Sequence, residues 1–369
     1  MRSPTLHDVA RSAGVSYSTA DRVLNGRGGV AEKSALRVRH AIEALGYVRD
    51  IHAANLSRRR SYRFRFFLPR GDHGFFSVLR ETLEREAGAR AAERLDVTCR
   101  DVPALDAKAL AEELSRIEAG DCDCAAVVGA DSPDLTAAIA RLRSIGVPVV
   151  TLVSDTADEV RSLYVGINNR MAGRTAGRLM RMAHRARAGR ILILLGSLGA
   201  RDHRDRLEGA REIMQAPGSK LDLLPPIEVR DRPETMRERL GEALRRDSGI
   251  TGLYSIGAGN RALVGLFEGL EGPRPFAVLH ELTPLSRAAL EGDLIDAVID
   301  QKPAEEIARA LDAMRAIADG RPPPPTDIVP TIYLKDNLPG AGRGDNLPGA
   351  GRPASWASDL TTGITGRTG

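Results

Sequence analysis

The first fifty residues carry hydrophobic side chains at the spacing of short consecutive helices. Thr5 and Asp8 fit a capping box at the start of the first helix, and Gly14 fits a left-handed stop at its end. Ser16 caps a second helix, which ends at Asn25-Gly26. The inward positions are Leu6, Val9, Ala10 and Ala13, then Ala20, Val23 and Leu24, then Val38, Ala41, Ile42 and Leu45. The spacing predicts a helix-turn-helix followed by a third helix over about residues 31–45.

From about residue 61 onward, short apolar runs alternate with amphipathic segments of helical period. This alternation predicts an α/β fold, in which parallel strands are joined by right-handed helical crossovers. The runs expected to form buried strands are 64–68, 125–129, 147–152, 190–195, 252–256 and 276–279. In sheets of this kind, ligands collect beyond the carboxyl ends of the strands.

Polar and aromatic residues follow several of these runs. They are Asp72, Phe75, Phe76, Asp131, Asp155, Asn260, His280 and Glu281. Carboxylates and amides can bind hydroxyl groups through paired hydrogen bonds, and aromatic rings can cover the apolar face of a sugar. The strand ends therefore predict a site for a hydroxyl-rich small molecule. Each residue taken alone fits a surface or capping role equally well.

The composition places the chain among ordinary globular proteins, with 42% hydrophobic and 28% charged residues. No apolar run approaches the roughly 20 residues that span a bilayer, and the first residues lack the apolar stretch of a signal peptide. We therefore expect a cytoplasmic protein with no membrane partner. Cys99, Cys122 and Cys124 are an odd number of cysteines, so we expect reduced thiols.

The net charge of +4 is divided unevenly along the chain. Residues 1–65 hold 13 Lys and Arg residues against 5 Asp and Glu residues, whereas the remainder holds 40 against 44. The balance is thus +8 in the first part and −4 in the second. This asymmetry predicts a headpiece that binds a polyanion, attached to a mildly acidic body. A solvated basic terminus explains the charge alone equally well.

The second predicted helix directs polar side chains outward from its amino-terminal half. They are Tyr17, Ser18, Asp21 and Arg22. On physical grounds, this is the helix that enters a major groove, where Arg22 has the side chain for bidentate reading of guanine. Thr19 and the helix N-termini can hold phosphates. The residues at the N-termini of the first two helices are Thr5, Leu6 and Ser16. A three-helix module for packing or protein interaction remains the alternative at this point.

Motifs of known enzyme classes are incomplete in this sequence. The segment 195–199 has Leu195 where a nucleophile elbow requires its first glycine. The segment 257–260 lacks the third glycine of a dinucleotide-binding loop, and no GxxxxGK[ST] occurs. Cys122 and Cys124 have no second cysteine pair with which to form a zinc site. We therefore expect no enzymatic activity, no cofactor and no metal.

Residues 6–16, 19–25 and 41–47, taken together, resemble the headpiece of lac-repressor-type bacterial regulators. The resemblance implies that Tyr17, Ser18 and Arg22 read bases and that Asn25 also lies at the DNA. Asp21 stands where the family usually has serine. Ala31 stands where a serine or threonine usually caps the third helix.

The same resemblance divides the basic segment into a headpiece over residues 1–49 and a hinge helix with linker over residues 50–61. In such a hinge, Asn55 and Leu56 reach the minor groove, and Leu56 wedges between base steps. An apolar wedge costs unstacking energy and gains contact area on a bent duplex. Leu56 taken alone fits a core position.

Residues 62–338 resemble the two-lobed, type I periplasmic-binding-protein-like fold that these regulators carry as their effector domain, through segments 164–173, 206–209 and 295–301. The resemblance implies an N-lobe of about 62–163 and 300–325 and a C-lobe of about 164–299 and 326–338. It places Arg206 as a clamp for sugar hydroxyls, Asp155 after the fourth strand and Gln301 between the lobes. Asn260 and Glu281 occupy positions where aspartate is usual.

These observations predict a sequence-specific DNA-binding transcriptional regulator, a repressor of a carbohydrate uptake or catabolism operon. A sugar or cyclitol in the cleft between the lobes controls it. We expect a homodimer that binds an inverted-repeat operator and is associated with the nucleoid. Two alternatives remain: a sugar-binding receptor without DNA regulation and, less favoured, an α/β enzyme that modifies sugars.

The end of the chain contains a duplication. Residues 336–343 recur identically as residues 345–352, and glycine, serine and threonine follow. We expect residues 339–369 to be disordered, because such composition cannot bury enough apolar surface to fold.

Overall fold

The structure is a computed structural model that describes residues 4–24, 28–47, 60–70, 74–230 and 232–340. The chain divides between Ser61 and Tyr62 into two compact units. The first is the headpiece and the second is the body.

The headpiece contains helices α1 (Leu6–Ala13), α2 (Tyr17–Leu24) and α3 (Glu32–Leu45). The capping box at α1 is confirmed: the Thr5 amide donates to Asp8 Oδ2 at 2.9 Å, and the Asp8 amide donates to Thr5 Oγ1 at 3.3 Å. Gly14 ends α1 in the left-handed region with φ +60°. The buried core is small and consists of Val9, Ala10, Ala13, Ala20, Val38 and Ala41. Leu45, expected on the inward face of α3, is 36% exposed because it lies at the very end of the helix. The predicted helix-turn-helix and third helix are therefore confirmed.

The body contains strands that alternate with helices along most of its length. In chain order the elements are β1 (Tyr62–Pro69), α4 (Gly74–Ala89), β2 (Leu95–Val102), α5 (Ala107–Ser115), β3 (Cys124–Val128), α6 (Pro133–Ser144), β4 (Val149–Leu152), β5 (Leu163–Ile167), α7 (Asn169–Ala183), β6 (Gly189–Leu195), α8 (Arg201–Met214), β7 (Leu221–Leu223), β8 (Ile227–Glu228), α9 (Pro233–Arg246), β9 (Ile250–Ser255), α10 (Asn260–Glu268), β10 (Phe276–His280), α11 (Pro284–Glu291), β11 (Ala297–Asp300), α12 (Pro303–Ala318), β12 (Asp327–Ile328) and β13 (Thr331–Tyr333). Short 3₁₀ helices cover Ala91–Glu93 and Lys335–Asn337. All the apolar runs predicted as strands form strands here.

The strands form two sheets, which define the N-lobe and the C-lobe. The N-lobe sheet has six strands in the order β12-β5-β4-β3-β1-β2, and its neighbours pair in parallel. The C-lobe sheet has the order β13-β11-β10-β9-β6-β7, with β8 also beside β6. Only β13 is antiparallel to its neighbour among the described pairs of this sheet. The predicted two-lobed α/β fold with parallel sheets is thus confirmed.

The sheet pairing shifts the expected lobe boundaries by one strand. Residues 164–167 and 326–328 were expected in the C-lobe, but β5 pairs with β4 and β12 pairs with β5 in the N-lobe sheet. Backbone pairing explains the difference, because Asp327 and Ile328 lie beside Gly166 and Ile167, and both isoleucines are buried. The chain therefore crosses between the lobes after β5, after β11 and between β12 and β13.

Several predicted features lie outside the described residues. They are most of the hinge, the DNA-facing residues Asn25, Asn55 and Leu56, the ligand residue Asp72, and the tail from residue 341. Before the tail, Leu338 is buried in the C-lobe core, and Arg287 Nη1 donates to the Pro339 carbonyl at 2.8 Å. The first copy of the duplicated segment is thus partly anchored on the C-lobe.

The start of α3 generates a prediction, because Ala31 occupies the N-cap position without a side-chain hydrogen bond. We expect Ala31→Ser to raise the free energy of headpiece unfolding by about 1 kcal/mol, since a serine hydroxyl can accept from an exposed amide of the first turn. Chemical unfolding followed by circular dichroism measures the change. Ala44→Ser, an exposed site inside the same helix, is the matched control, and an equal gain there would contradict the capping explanation.

Candidate functional site

The site between the lobes depends on an unusually close contact between α7 and α8. A Cβ atom at position 173 would lie 2.0 Å from the carbonyl oxygen of Arg206, and one at position 209 would lie 2.1 Å from the carbonyl oxygen of Arg170. Gly173 and Gly209 are therefore required for the two helices to approach this closely. The contact brings the first residue of α7, Asn169, beside Arg206 in the second turn of α8.

Arg206 is the centre of a buried polar network. Its side chain is 1% exposed. Its Nε donates to Asn169 Oδ1 at 2.8 Å, and its Nη1 donates to the Ile256 carbonyl at 3.0 Å and to Glu281 Oε1 at 3.4 Å. The network therefore joins α7, α8 and the ends of β9 and β10. A buried guanidinium is tolerated only where carboxylates and carbonyls compensate its charge.

Gln301 joins this network from the end of β11. Its Nε2 donates to Glu281 Oε1 at 2.6 Å. Arg206, Glu281 and Gln301 were all predicted as ligand residues, and the structure brings them together. The backbone here is strained, because Glu281 has φ +73° and Lys302 has φ +59°, in the left-handed region that disfavours residues with a side chain. Strain of this kind concentrates at functional sites.

The N-lobe contributes Glu306 of α12 and Val153, which follows β4. The Val153 amide donates to Glu306 Oε1 at 2.7 Å, and the Val153 carbonyl accepts from Asn169 Nδ2 at 3.1 Å. Because Asn169 also binds Arg206, a continuous chain of hydrogen bonds connects Glu306 with Arg206. Val153 is β-branched and has φ +62°, so this contact also holds strained backbone.

His280 and Tyr254 are a buried pair that flanks the Arg206 network on the C-lobe side. The Tyr254 hydroxyl lies 2.7 Å from His280 Nε2, and both side chains are buried. Asn260, predicted as a ligand residue, uses its Nδ2 to donate to the His280 carbonyl at 3.2 Å and accepts at Oδ1 from Ser255 Oγ at 2.7 Å. Asn260 therefore links the end of β9 to the end of β10.

Burial shifts the proton affinities of this network. Burial, opposed by Arg206, raises the pKa of Glu281 to about 8. Burial, opposed by the hydrogen bond from the Val153 amide, raises the pKa of Glu306 to about 8. Burial lowers the pKa of His280 well below its ordinary range, so the imidazole is neutral. For Asp202, the burial that raises its pKa is outweighed by His203 and Arg206, and this carboxyl stays ionised.

Other predicted ligand residues are engaged elsewhere. Asp155 accepts from Arg161 Nε at 2.6 Å and Nη2 at 2.8 Å, and from Thr151 Oγ1 at 2.6 Å. Asp131 is exposed and forms an ion pair with Arg204 across the lobes. Phe75 and Phe76, in the first turn of α4, pack on the hydrophobic core. These four are therefore not brought into contact with Arg206, Glu281 or Gln301 by any hydrogen bond described here.

The first turns of α8 also hold the lobes together. Arg201 Nη1 donates to the Thr156 carbonyl, and the Asp202 amide donates to Ser154 Oγ at 3.3 Å. At the opposite side, a Cβ at position 74 would lie 3.2 Å from Thr283 Cγ2. The lobes are thus in contact on both sides of the polar network.

Sequence reasoning missed Asn169 and Glu306. It also missed Tyr164, whose hydroxyl donates to the Val153 carbonyl at 3.0 Å and accepts from Asn169 Nδ2 at 3.3 Å. The pattern of α12 contained a signal for Glu306. Buried positions of this helix fall at 306, 307, 310, 311 and 314, so Glu306 lies on the same face as Ile307 and Leu311. A carboxyl on the apolar face of an amphipathic helix indicates a buried ionisable group, which rarely occurs without a function.

The predicted DNA-reading side chains lie on the outer surface of α2. Tyr17 is 48% exposed, and its ring packs against His7 with centroids 4.5 Å apart. Ser18 and Arg22 are exposed, whereas Thr19 and Asp21 are half-buried. Ser16 Oγ accepts from the Thr19 amide at 3.1 Å, as expected of an N-cap. Arg22 Nη2 donates to the Gly28 carbonyl at 2.8 Å.

The residues near Ser197 do not assemble a nucleophile. His203 Nδ1 accepts from the Ser197 backbone amide at 3.2 Å, and its Nε2 lies 3.7 Å from Asp202 Oδ2. Both ring nitrogens are therefore directed to groups other than the Ser197 hydroxyl, which a hydrolytic triad requires as the partner of the imidazole. Cys99, Cys122 and Cys124 are free thiols.

The described residues contain no cluster of His, Cys, Asp and Glu side chains suited to a metal ion. Within the same ranges, none of the helices has the length and apolar character needed to cross a membrane.

Two family models match the chain. Residues 64–322 match the periplasmic binding protein domain, and residues 5–50 match the model of bacterial regulatory proteins of the lacI family. The chain belongs to the periplasmic binding protein domain family through its body, and its headpiece is a lacI-family domain. Its relatives include the transcriptional regulator DegA of Bacillus subtilis, at 23% identity over 66% of this chain and 70% of DegA. The ribitol operon repressor of Klebsiella aerogenes is 28% identical over 41% of this chain and 55% of that protein.

Solved structures support the fold of the body. A solute-binding protein from Burkholderia graminis in complex with D-arabinose has a TM-score of 0.68 at 20% identity, over 75% of this chain and 96% of that chain. A solute-binding protein from Agrobacterium vitis bound to α-D-tagatopyranose has a TM-score of 0.67 at 18% identity, over 76% and 96%. At this level of identity, the likeness establishes the periplasmic-binding-protein fold.

The close contact between α7 and α8 at Gly173 leads to a prediction about the stability of the body. We expect Gly173→Ala to lower the free energy of unfolding by about 3 kcal/mol, because the new methyl group meets backbone rather than a movable side chain. Gly265→Ala in α10 is the matched control, since a Cβ there meets no atom within 4 Å. It should instead gain roughly 0.5–1 kcal/mol. Similar unfolding midpoints for the two variants in urea would contradict the proposed close contact.

The raised pKa of Glu306 generates a second prediction. Between its ordinary 4.5 and about 8, this carboxyl holds a proton in the folded chain but not in the unfolded chain. Its contribution to stability is therefore lost as pH rises from 5 to 8, by up to ~1.4 kcal/mol per pH unit. We expect Glu306→Gln to flatten the pH dependence of the unfolding free energy in this window. Glu305→Gln should keep the original slope, because the pKa of Glu305 is lowered.

Proposed function

We propose that this protein is a transcriptional repressor of a carbohydrate uptake or catabolism operon, released from or directed to its operator by a sugar or cyclitol. The observation that carries the proposal is the combination of a lacI-family headpiece with a body whose lobes meet on the buried Arg206 network. It acts in the cytoplasm, on nucleoid DNA, and performs no chemical reaction.

The headpiece supports the DNA-binding part of this proposal. The exposed face of α2 presents Tyr17, Ser18 and Arg22, and the planar guanidinium of Arg22 fits the paired acceptors of guanine. Thr19 and the N-termini of α1 and α2 hold phosphates. The residues at the N-termini of α1 and α2 that make these contacts are Thr5, Leu6 and Ser16. Asp21 orients Arg22 or accepts from cytosine, and Asn25, Asn55 and Leu56 complete the contact.

A homodimer is part of the proposal. One headpiece covers only a few base pairs, and a two-fold arrangement places a second copy of α2 one helical turn away on the duplex. The operator is therefore an inverted repeat. Two relatives are named as repressors of the ribitol and the sucrose operon, which supports the binding of operator DNA.

The network between the lobes supports the effector part. Arg206, Glu281 and Gln301 bind hydroxyl groups, because they place donors and acceptors together in a buried site at the ends of β10 and β11. An effector that prefers one arrangement of the lobes shifts the equilibrium between DNA-binding states, typically by 1–3 kcal/mol. The receptor alternative is not favoured, because it leaves the lacI-family headpiece without a role.

Binding to a selected operator sequence tests this function. An operator is first selected from random inverted repeats with the wild-type protein, and binding is then measured by gel shift over a salt series. We expect Arg22→Ala to lose about 1–3 kcal/mol of preference for this operator over random DNA, while most salt-dependent nonspecific binding remains. The preference is lost because the paired hydrogen bonds to guanine are lost.

Arg22→Lys is the matched control, because it keeps the charge and removes the planar fork. It should bind random DNA like the wild type and still lose operator preference. Equal losses on operator and random DNA in both variants would show that Arg22 contributes charge alone. Failure of the wild-type protein to select any sequence would refute the regulatory function.

A further inference from the structure

The C-lobe contains a polar pocket that shares none of its lining residues with the Arg206 network. It lies between β8 and the start of α9 and has a volume of about 320 Å³, which is within the range of small-molecule sites. Its lining residues are Glu228, Val229, Arg230, Arg232, Thr235 and Arg239. The pocket is therefore rich in arginine.

The backbone places this pocket at the edge of the C-lobe sheet where the Arg206 network also lies. The Val229 amide donates to the carbonyl of Leu195, the last residue of β6, at 2.9 Å. Because β6, β9 and β10 are parallel, their carboxyl ends meet at one edge of the sheet. Ile256 and Glu281 follow β9 and β10 at that edge. The pocket thus lies on the ligand-binding side of the sheet.

The charges of the pocket are only partly compensated. Glu228 Oε1 lies 3.3 Å from Arg230 Nε and forms an ion pair with it. Arg232 and Arg239 are exposed and have no ion pair or hydrogen bond within the described part of the chain. Asp231 lies outside the described residues. Two guanidinium groups of the described lining therefore remain without a counter-charge, which suits the pocket to an anion.

Neutral donors add to these two cations. The Thr235 hydroxyl lines the pocket and has no hydrogen-bond partner among the residues that the structure describes. Arg232 is the N-cap of α9 and makes no side-chain cap hydrogen bond, and Pro233 follows it. Within the same residues, the amides of Glu234 and Thr235 have no acceptor. An anion at the start of α9 can accept from these amides and is favoured by the helix dipole.

We propose that this pocket binds a phosphate group, as inorganic phosphate or as part of a small organic phosphate monoester, with Arg232 and Arg239 as its main ligands. A phosphate monoester carries a charge of about −1.5 to −2 at neutral pH, which matches two free guanidinium groups. The planar fork of arginine donates to two phosphate oxygens at once. The inference goes beyond the proposed function, because it assigns an anionic ligand to groups outside the Arg206 network.

The test measures phosphate binding to the full chain by calorimetry. The buffer contains no phosphate and little salt, because salt screens exposed charges. The probes are inorganic phosphate, glycerol 3-phosphate and D-glucose 6-phosphate, and glycerol and D-glucose are their neutral partners. We expect saturable binding of at least one phosphate probe. Binding of inorganic phosphate would support a site for the free ion, whereas binding of the monoesters alone would support a site for an organic phosphate.

Arginine variants locate the binding site. We expect Arg232→Gln and Arg239→Gln each to raise the Kd of a bound phosphate probe by about 10-fold or more, because each removes a charge-assisted hydrogen bond. Arg237→Gln is the matched control. It removes the same charge from the same helix, but position 237 lies on the face of α9 opposite Thr235 and Arg239. It should leave the Kd nearly unchanged, and all three variants should keep the affinity for a neutral sugar that binds.

The contrary outcomes are equally distinct. Equal losses in Arg237→Gln and Arg239→Gln would assign the binding to net charge and overturn the inference. A phosphate Kd that is unchanged in both Arg232→Gln and Arg239→Gln would place the ligand elsewhere, and absence of binding by all three probes would also refute the pocket. Thermal unfolding checks that the variants fold. If one does not, the corresponding lysine variant, which keeps the charge and removes the fork, should still raise the Kd.

Failure of the inference and failure of the proposed function have different signatures. Selection of an operator by the wild-type protein does not require the arginine pocket. A protein that selects an operator but binds no phosphate probe retains the proposed function and loses this inference. A protein that binds phosphate through Arg232 and Arg239 but selects no DNA sequence retains the inference and loses the proposed function.

Discussion

The buried guanidinium of Arg206 is the constraint around which the body is arranged. A charge that is 1% exposed is stable only with compensating groups on several sides, and here these groups come from separate elements of the fold. Asn169 arrives on α7, Glu281 on the end of β10, and the Ile256 carbonyl on the end of β9. Gly173 and Gly209 let α7 and α8 approach closely enough for the first of these contacts.

The same constraint links the two lobes. Asn169 connects Arg206 to Val153, and Val153 connects to Glu306, so the C-lobe charge and the N-lobe carboxyl belong to one hydrogen-bond network. Burial raises the pKa of Glu281 and of Glu306, which means that the protein holds acids in a site where water cannot solvate their anions. A movement of one lobe against the other changes the surroundings of both carboxyls. The network is therefore suited to convert occupancy of the cleft into a lobe arrangement.

Much of the fold was predictable because its signals are local. The capping box at Thr5, the stop at Gly14 and the apolar runs of the parallel strands each depend on residues close in sequence. The lobe boundary was not predictable in the same way, since β12 joins the N-lobe sheet by pairing with β5, between residues more than 150 positions apart. Among the residues predicted as ligands, Arg206, Glu281 and Gln301 lie together in one buried network. Asp155 is paired with Arg161, and this pairing depends on a loop conformation that the sequence pattern does not reveal.

The sequence by itself determined the basic headpiece, the alternation of strands and helices, and the chemical types of residue available at the strand ends. These follow from periodicity, charge and glycine placement, which are properties of neighbouring residues. Tertiary structure decided which of the polar residues share one buried site and which are neutralised by local partners. The physical reason is that the energy of a charge or hydrogen-bonding group depends on its burial and its partners, and both are set by contacts between residues distant in the chain.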